Sequence, residues 1–333
     1  MVRAARIVQQ HLKTHPIPGA AFTTGHVNNL ELGWVGQSCP NGDAVNAETV
    51  WDLASLTKTL VTVPLLLKLW EAGALDLDAP LGDVLPEVQG FPLETVTITQ
   101  LASHTAGLEA LSKLRFWGLP REEALQRALE EPRFQTGIVY SDQGFIVLTQ
   151  LLEVLYGERL DRVAARELFS PVGAALTYHP DPASCACTEL DESTGRLLRG
   201  TVHDENTRAL DGISGHAGLF GSLAAVTGYL RALLSGRILQ PATLARMAAP
   251  IAVSQNDARA FGWVRRHDGW LGGDRAPGDA LGHTGFTGTG AWFSVDTGQL
   301  NILLTNRVCP SRNSPSDIAG LRRAFNDAAW LEV

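Results

Sequence analysis

The chain has 333 residues, of which 45% are hydrophobic and 19% charged, and its formal net charge is −8. This composition predicts a folded protein with a large core and excludes a disordered chain. The negative charge and the lack of a basic cluster argue against a nucleic-acid partner, and no apolar run is long enough to span a membrane. Residues 1–14 have the periodicity of an amphipathic helix and lack a signal-peptide pattern. Taken as the native start, this segment predicts a cytoplasmic protein.

The spacing of the four cysteines argues against a metal site. Cys39, Cys185, Cys187 and Cys309 do not form the spaced pairs of a zinc site. We therefore expect free thiols, with no bound metal and no cofactor.

Strand patterns lie toward both ends of the chain. Short apolar runs bounded by Gly and Asn predict a hairpin over 19–25 and 30–35. The stretch from 96 to 173 carries no strand pattern. Later strands are predicted at 260–266, 290–295 and 300–306.

Helical patterns fill the middle of the chain and recur near its end. Helices are predicted over 55–70, 120–131, 144–156, 160–169, 222–234, 241–248 and 316–330. Pro64 lies inside the first of them and should disturb it. Strands at both ends with helices between predict a discontinuous α/β domain, residues 1–80 and 215–333, and a mainly α-helical domain, residues 81–214. A ligand cleft would lie between the two domains.

The segment Ser55-Leu56-Thr57-Lys58 is the strongest candidate for chemistry, because it places a hydroxyl and an ammonium one turn apart on a helix. A serine becomes a nucleophile when a base takes its proton, and a lysine can be that base where an apolar setting lowers its pKa. The start of a helix also offers amides that can hold an oxyanion. The alternative is a solvated helix face. Only four of the 27 basic residues are lysine, and one of them stands in this apolar run, which favours catalysis.

Two later segments add to this candidate. Tyr140-Ser141-Asp142 precedes a predicted helix, and a tyrosine near an ammonium can shuttle protons; the alternative is a half-buried core tyrosine. The glycine-rich stretch 281–290, which contains His283-Thr284-Gly285, lets a substrate approach a strand edge closely. The alternative there is a plain turn between strands.

Two other histidines are weaker candidates. His203 beside Asp204 suggests a catalytic dyad, but adjacent residues rarely orient each other's side chains, so we do not favour it. We expect His104 to be a structural histidine that is hydrogen-bonded near a helix end.

Taken in order, Ser55-x-x-Lys58, Tyr140-x-Asp142 and His283-Thr284-Gly285 resemble the motifs of the serine beta-lactamase and penicillin-binding protein superfamily. The class C-like branch, which also holds esterases and D-aminopeptidases, is the most similar. Segments 51–58, 75–81 and 101–108 agree with that branch, so the resemblance runs from about residue 18 to about residue 306.

The resemblance implies an α/β fold, an antiparallel sheet flanked by helices, with an all-α insertion domain. It implies that Ser55 is the nucleophile, that Lys58 accepts its proton and that Tyr140 takes part in proton transfer. The backbone N–H groups of Ser55 and Phe286 would form the oxyanion hole. The residues implied to face the substrate are Asp142, His283, Thr284 and Gly285.

Two positions depart from the usual pattern of that superfamily. The third motif begins with His283 instead of lysine, and an imidazole is mostly neutral near pH 7, so it would hold a substrate carboxylate less firmly. The second motif ends in Asp142 instead of asparagine, and an ionised carboxylate cannot donate a hydrogen bond to a substrate carbonyl. Both changes put penicillin recognition in doubt and favour neutral esters or amides.

The implied function is a serine hydrolase that acts through a covalent acyl-enzyme on a small ester, amide or peptide. It would be of the carboxylesterase, D-amino-acid peptidase or weak beta-lactamase type, and the sequence does not rank these three. The alternative is a non-hydrolytic penicillin-binding or sensor-type module of the same fold. The intact set of Ser55, Lys58 and Tyr140 argues against that alternative, and a metal-dependent hydrolase lacks ligand spacing.

Overall fold

The computed structural model describes residues 3–110, 113–254 and 256–332. The predicted N-terminal helix begins at Arg3, and residues 1 and 2 lie outside the described residues. The helices are α1 (Arg3–Thr14), α2 (Val63–Glu71), α3 (Leu81–Val84), α4 (Ile98–Ala102), α5 (Arg121–Glu130), α6 (Asp142–Tyr156), α7 (Leu160–Ala164), α8 (Glu205–Arg208), α9 (Leu223–Leu234), α10 (Pro241–Ala248) and α11 (Ile318–Ala329).

An eight-stranded antiparallel sheet forms the centre of the fold, and it draws its strands from both ends of the chain. In spatial order these are β2 (Asn29–Gly36), β1 (Gly19–His26), β12 (Leu300–Thr305), β11 (Gly290–Phe293), β10 (Leu281–Thr284), β9 (Val264–Arg265), β8 (Ala258–Arg259) and β7 (Ala252–Val253). Two smaller sheets pair β3 (Val50–Asp52) with β6 (Phe220–Ser222), and β4 (Cys187–Asp191) with β5 (Arg196–Arg199). The expected antiparallel sheet flanked by helices is confirmed.

Apolar side chains cover both faces of the large sheet. On one face, α1 and α11 pack over a cluster that includes Phe22 and Trp292. On the other face, the larger core contains side chains of α2, α6 and α9. Since both faces are covered, every residue of β12 is buried, and the strand reads as a mostly apolar run instead of an alternating pattern.

Two local predictions need correction. The strand predicted over 260–266 is interrupted: Gly262 has a φ of +78°, which turns the chain between β8 and β9. The helices predicted over 55–70 and 160–169 each contain a π-helical stretch, at Lys58–Thr62 and Ala165–Phe169. The first stretch ends just before Pro64, which has no N–H to continue the regular helical hydrogen bonds.

The expectation of free thiols is wrong for two of the four cysteines. Cys39 and Cys187 form a disulfide across a separation of 148 residues, with their Cα atoms 5.0 Å apart. Cys185 and Cys309 stay free and buried, and burial raises the pKa of each thiol to about 12. Disulfides persist mainly in oxidising compartments, so this bond weighs against the expected cytoplasmic location.

The hairpin of β4 and β5 lies inside the segment predicted to be mainly helical, 81–214. Its sequence is polar and rich in turn-forming residues, so the sequence pattern did not predict these two strands. The domain boundaries at residues 80/81 and 214/215 stay a prediction. None of the helices in the described ranges combines the length and the apolar character that crossing a bilayer requires.

Candidate active site

Ser55 lies where a strand passes into a helix. β3 ends at Asp52, whose buried carboxylate accepts the N–H of Ala54 at 2.8 Å and the N–H of His203 at 2.7 Å. Burial raises the pKa of Asp52 above its ordinary value, against the effect of these two hydrogen bonds. Ala54 has a φ of +47°, a left-handed conformation that is costly for a residue with a Cβ. The Asp52 carboxylate thus holds the sharp turn that presents Ser55.

Lys58 is the buried centre of the site, and its side chain has no solvent exposure. Its Nζ donates to Asp142 Oδ1 at 2.6 Å, to the His216 carbonyl at 3.1 Å and to Ser55 Oγ at 3.2 Å. Burial alone would lower the pKa of Lys58, but Asp142 and Tyr140 raise it, and the net direction is upward. The expected low-pKa lysine is therefore wrong for the free protein, because the Asp142 carboxylate is a counter-ion that stabilises the ammonium.

Tyr140 comes from the loop before α6, as predicted, but Asp142 is the first residue of that helix. The helix begins two residues earlier than the predicted 144, because the Ser141 hydroxyl caps it by accepting the N–H of Gly144. The Tyr140 ring centroid lies 5.0 Å from Lys58 Nζ. The structure therefore brings the tyrosine beside the ammonium, as the sequence suggested.

His104 is a structural residue, as expected. Its Nδ1 accepts the N–H of Ser141 at 3.1 Å, and its ring lies 4.5 Å from the ring of Tyr140. Burial lowers the pKa of His104 well below its ordinary value, and the charges of Arg259 and Lys58 add to this shift. A neutral His104 thus supports the loop that carries Tyr140.

His283 lies on β10 and is only 3% exposed. Burial lowers the pKa of His283 well below its ordinary value, and Lys58 and Arg259 shift it further in the same direction. The imidazole is thus neutral, as predicted. Neither ring nitrogen has a hydrogen-bond partner in the described part of the chain, and the ring lies 5.9 Å from that of Tyr140.

The turn after β10 is fastened to the segment before the candidate nucleophile. Thr287 Oγ1 donates to the carbonyl of Asp52 at 2.8 Å, and Thr289 Oγ1 donates to the carbonyl of Leu53 at 3.0 Å. Gly285 packs so closely that a Cβ there would lie 2.7 Å from the Leu53 oxygen. Glycine is needed at this position because the two backbones approach each other.

Phe286 follows in the same turn, with its side chain 49% exposed. Across the described residues, neither its N–H nor that of Ser55 donates to a backbone carbonyl, so both amides are free to face a ligand. Arg307 Nε donates to the Phe286 carbonyl at 2.9 Å, and Arg322 donates to the Gly285 carbonyl at 2.7 Å. Burial and the nearby Arg307 lower the pKa of Arg322 to about 9. Two cations from distant segments thus hold the turn.

His203 and Asp204 do not form a dyad, as expected for adjacent residues. His203 Nε2 lies 3.0 Å from Glu189 Oε2, and Asp204 Oδ1 lies 2.9 Å from His216 Nε2. Burial would raise the pKa of Asp204, but His216 and hydrogen bonds from Thr207 lower it below its ordinary value. These pairs hold the rim of the cleft in place. Lys58 therefore remains the candidate proton acceptor for Ser55.

The predicted site residues meet at one cleft of about 530 Å³, with Lys58 buried behind it. The predicted residues that line it are Ser55, Tyr140, Asp142, His283, Thr284, Gly285 and Phe286. Five arginines that the sequence did not single out also line it: Arg115, Arg259, Arg307, Arg312 and Arg322. No local motif marks them, because only the fold brings their segments together. The carboxylates in the lining are Asp142, Asp204 and Glu205.

Among the residues that the structure describes, two groups of side chains could hold a metal ion, since in each the ligand atoms lie within 4.8 Å of one another. Asp142, Asp204 and His216 form one group in the cleft, but Asp142 already pairs with Lys58, and Asp204 with His216. A cation there would compete with the Lys58 ammonium. The other group lies away from the cleft, at the end of α1 and at the start of α11.

Comparison with known proteins gives one consistent family. The family model described as beta-lactamase matches residues 4–324. The chain is 28% identical over 288 residues to an N-acetylmuramyl-L-alanine amidase of Bacillus subtilis, which covers 74% of this chain and 65% of that protein. It is 26% identical over 300 residues to a putative D-alanyl-D-alanine carboxypeptidase of Escherichia coli, covering 78% of this chain and 69% of that protein. The aligned part thus spans about two thirds of the length of these relatives.

Solved structures share the fold at low identity. A class C beta lactamase from Rhodobacter sphaeroides has a TM-score of 0.77 and 20% identity, covering 98% of this chain and 97% of that one. EstCE1, described as a hydrolase with promiscuous acyltransferase activity, has a TM-score of 0.77 and 22% identity, with coverages of 98% and 97%. The chain belongs to the beta-lactamase family, and the names of its relatives support the expectation of a hydrolase.

Proposed function

We propose that this member of the beta-lactamase family is a serine hydrolase that acts through a covalent acyl-enzyme. The observation that carries the proposal is the contact of Lys58 Nζ with Ser55 Oγ at 3.2 Å, at the base of a cleft. Ser55 Oγ would attack the carbonyl carbon of an ester or amide. The N–H groups of Ser55 and Phe286 would hold the oxyanion, and water would later release the acyl group.

The Asp142 carboxylate changes the expected route of the proton. An ammonium has no lone pair, so Lys58 must lose a proton before it can accept one from Ser55. The nearest acceptor is Asp142 Oδ1, 2.6 Å from Nζ. Substrate binding expels water from the cleft and disfavours a separated ion pair, which promotes transfer of that proton to Asp142. The neutral amine then takes the Ser55 proton as the bond to the substrate carbon forms, and Tyr140 supplies a proton to the leaving group.

The arginines that line the cleft indicate which class of substrate it favours. His283 alone predicted a weak hold on a carboxylate, but Arg259, Arg307 and Arg312 bring positive charge to the same cleft. Arg259 is already paired with Asp257, and Arg312 with Glu189 and Glu205, whereas no carboxylate of the described residues pairs with Arg307. We propose that the substrate carries a carboxylate, as a peptide ending in a free amino acid does. This choice ranks the D-amino-acid peptidase and weak beta-lactamase types above a carboxylesterase, because a penicillin also carries a carboxylate, and it replaces the expected preference for neutral substrates.

A second candidate is a module that becomes acylated without turnover. It is favoured by Asp142, since a carboxylate in place of the usual asparagine cannot donate a hydrogen bond to the substrate. Intact mass spectrometry separates the two candidates. A fluorophosphonate should add one adduct to the wild type and none to Ser55→Ala, with Ser193→Ala in the exposed β4–β5 turn as the matched control.

A time course with a penicillin and with a dipeptide ester then tests turnover. An adduct that disappears within minutes supports the hydrolase, whereas an adduct that persists for hours supports the non-hydrolytic module. Equal labelling of Ser55→Ala and wild type by the fluorophosphonate would contradict both candidates.

A further inference from the structure

The second group of potential metal ligands joins the two helices that cover one face of the sheet. His11 lies in the last turn of α1, His15 follows directly after Thr14, and Asp317 is the N-cap residue of α11. The N–H of His15 donates to the carbonyl of His11 at 3.0 Å, so the helical turn continues to His15 and the two side chains lie on the same side. One ligand atom from each of the three lies within 4.8 Å of the others.

The backbone fixes how the two imidazoles present their lone pairs. His11 Nε2 lies 2.9 Å from the carbonyl oxygen of Ser316, and His15 Nδ1 lies 3.3 Å from the carbonyl oxygen of His11. A carbonyl only accepts, so His11 Nε2 carries the proton and the lone pair of His11 lies on Nδ1. His15 Nδ1 also lies 3.0 Å from the Thr14 hydroxyl, and when Nδ1 carries the proton the lone pair of His15 lies on Nε2. An N–H held by a carbonyl is the usual support of a histidine that binds a metal.

Asp317 supplies an anionic oxygen to the same place. One of its carboxylate oxygens, Oδ1, accepts the N–H of Gly320 at 3.1 Å and so caps α11. The other oxygen has no hydrogen-bond partner within the described ranges. The side chain is exposed, so an ion can reach it from solvent.

We propose that His11, His15 and Asp317 bind a divalent transition-metal ion, with Zn²⁺ as the first choice, and that the ion clamps α1 to α11. Two imidazoles and one carboxylate, with water as a fourth ligand, form a common tetrahedral set for zinc. Tetrahedral bonds of about 2.1 Å place ligand atoms about 3.4 Å apart, so atoms that now lie within 4.8 Å must close by up to about 1.4 Å. The His11 and His15 rings are stacked with centroids 3.9 Å apart, so one ring must turn before both lone pairs can meet one ion. This site is independent of the proposed hydrolase activity.

Calorimetric titration of the chelator-treated full chain with ZnCl₂ tests the site. The wild type should bind one tight equivalent, and its melting temperature should rise by roughly 5 °C when zinc is in hundredfold excess over the dissociation constant. His15→Gln, which keeps a good helix former, should weaken that equivalent at least tenfold and remove most of the rise in melting temperature. His26→Gln, on β1 and outside the cluster, is the matched control and should behave as wild type.

Asp317→Asn provides an independent variant if His15→Gln does not fold. Asparagine caps a helix as well as aspartate does, so α11 should be kept while the anionic ligand is lost. It too should weaken zinc binding at least tenfold. Absence of a tight equivalent in the wild type, or a tight equivalent that survives both substitutions, would overturn the proposal, since in the second case the ion binds elsewhere.

Discussion

The two walls of the cleft differ in how many of their buried polar groups have hydrogen-bond partners. The helical wall carries Lys58, Tyr140 and Asp142, and the strand wall carries Arg259 and His283. On the helical wall, the Lys58 ammonium has three hydrogen-bond acceptors, and Asp142 accepts from it at 2.6 Å. On the strand wall, Arg259 Nε and both ring nitrogens of His283 are buried without a partner within the described residues, as is Nε of Arg322 on α11. On the helical wall, His104 Nε2, next to Tyr140, is the one such exception among the described residues named above.

This difference separates two tasks. The helical wall has its geometry set before any substrate arrives, as a nucleophile and its proton acceptor require. The strand wall keeps polar groups that cost about 1–3 kcal/mol each while unpaired. We interpret the first wall as the place of chemistry and the second as the place where substrates are distinguished. The predictions below test that division.

Ser55→Ala should have the largest effect. Removing the nucleophile should lower kcat/KM for p-nitrophenyl butyrate by about 10³-fold or more, because the Lys58 pair then has no hydroxyl to activate. Stopped assays corrected for background hydrolysis measure this loss. Ser193→Ala should keep full activity, and a Ser55→Ala variant that keeps most of the activity would place the chemistry elsewhere.

Asp142→Asn should have the next largest effect, since it removes the counter-ion of a buried ammonium. The pKa of Lys58 is raised in the folded protein, so the pair stabilises the fold below the ordinary lysine value of 10.5 and loses that effect as pH rises through the folded value. Breaking a buried pair costs about 3–5 kcal/mol, so denaturant unfolding at pH 7 should show a clear loss of stability.

The same substitution should also move the pH profile of acylation. Without Asp142, burial is the main influence on Lys58 and lowers its pKa, so the alkaline rise in rate should shift to lower pH by about one unit or more. Asp181→Asn is the matched control, because Asp181 is exposed outside the cleft and asparagine can still accept the N–H of Ala183. An unchanged profile in Asp142→Asn would remove Lys58 from the proton path.

The helical wall was also the part of the site that the sequence predicted well. Ser55 lies in the turn directly before the helix that carries Lys58, and Tyr140 lies two residues before Asp142, the first residue of α6, so local spacing was enough to pair them. Their protonation was not predictable, because the contact between Lys58 and Asp142 spans 84 residues. The pattern suggested an apolar setting for Lys58, and only the fold revealed its counter-ion.

The strand wall was predicted less well for the same physical reason. Arg259 lies on β8 and Arg307 follows the end of β12, and neither carries a motif, so their meeting at the cleft depends on sheet order. The disulfide of Cys39 and Cys187 was missed likewise, since 148 residues separate its partners. The main sheet and most helices followed from local periodicity, whereas the turn at Gly262 and the β4–β5 hairpin did not.

Arg307→Gln tests the strand side of the cleft as the place of substrate selection. We expect the ratio of kcat/KM for a carboxylate-bearing ester to that for its uncharged methyl ester to fall about tenfold, because a charge-assisted hydrogen bond contributes about 1.5–3 kcal/mol. The ratio is the right measure, since Arg307 also holds the Phe286 carbonyl and both rates can fall. Arg323→Gln, on the exposed side of α11, should leave the ratio unchanged. A constant ratio in Arg307→Gln would contradict the carboxylate subsite.

His283→Leu should have the smallest effect on stability, and it contrasts directly with Asp142→Asn. Both ring nitrogens of His283 are buried without partners, so an apolar side chain of similar size removes two unsatisfied groups and breaks no hydrogen bond. We expect the melting temperature to stay within about 2 °C of the wild type or to rise slightly, as differential scanning calorimetry would show. His283→Lys should instead lower both stability and kcat/KM, since it adds a buried ammonium near Lys58 and Arg259, whose charges already lower the pKa of His283. This reverses the gain for carboxylate substrates that the motif alone suggested for a lysine here. A loss of stability in His283→Leu as large as that in Asp142→Asn would show that the two walls are equally satisfied, and the division of tasks between them would fail.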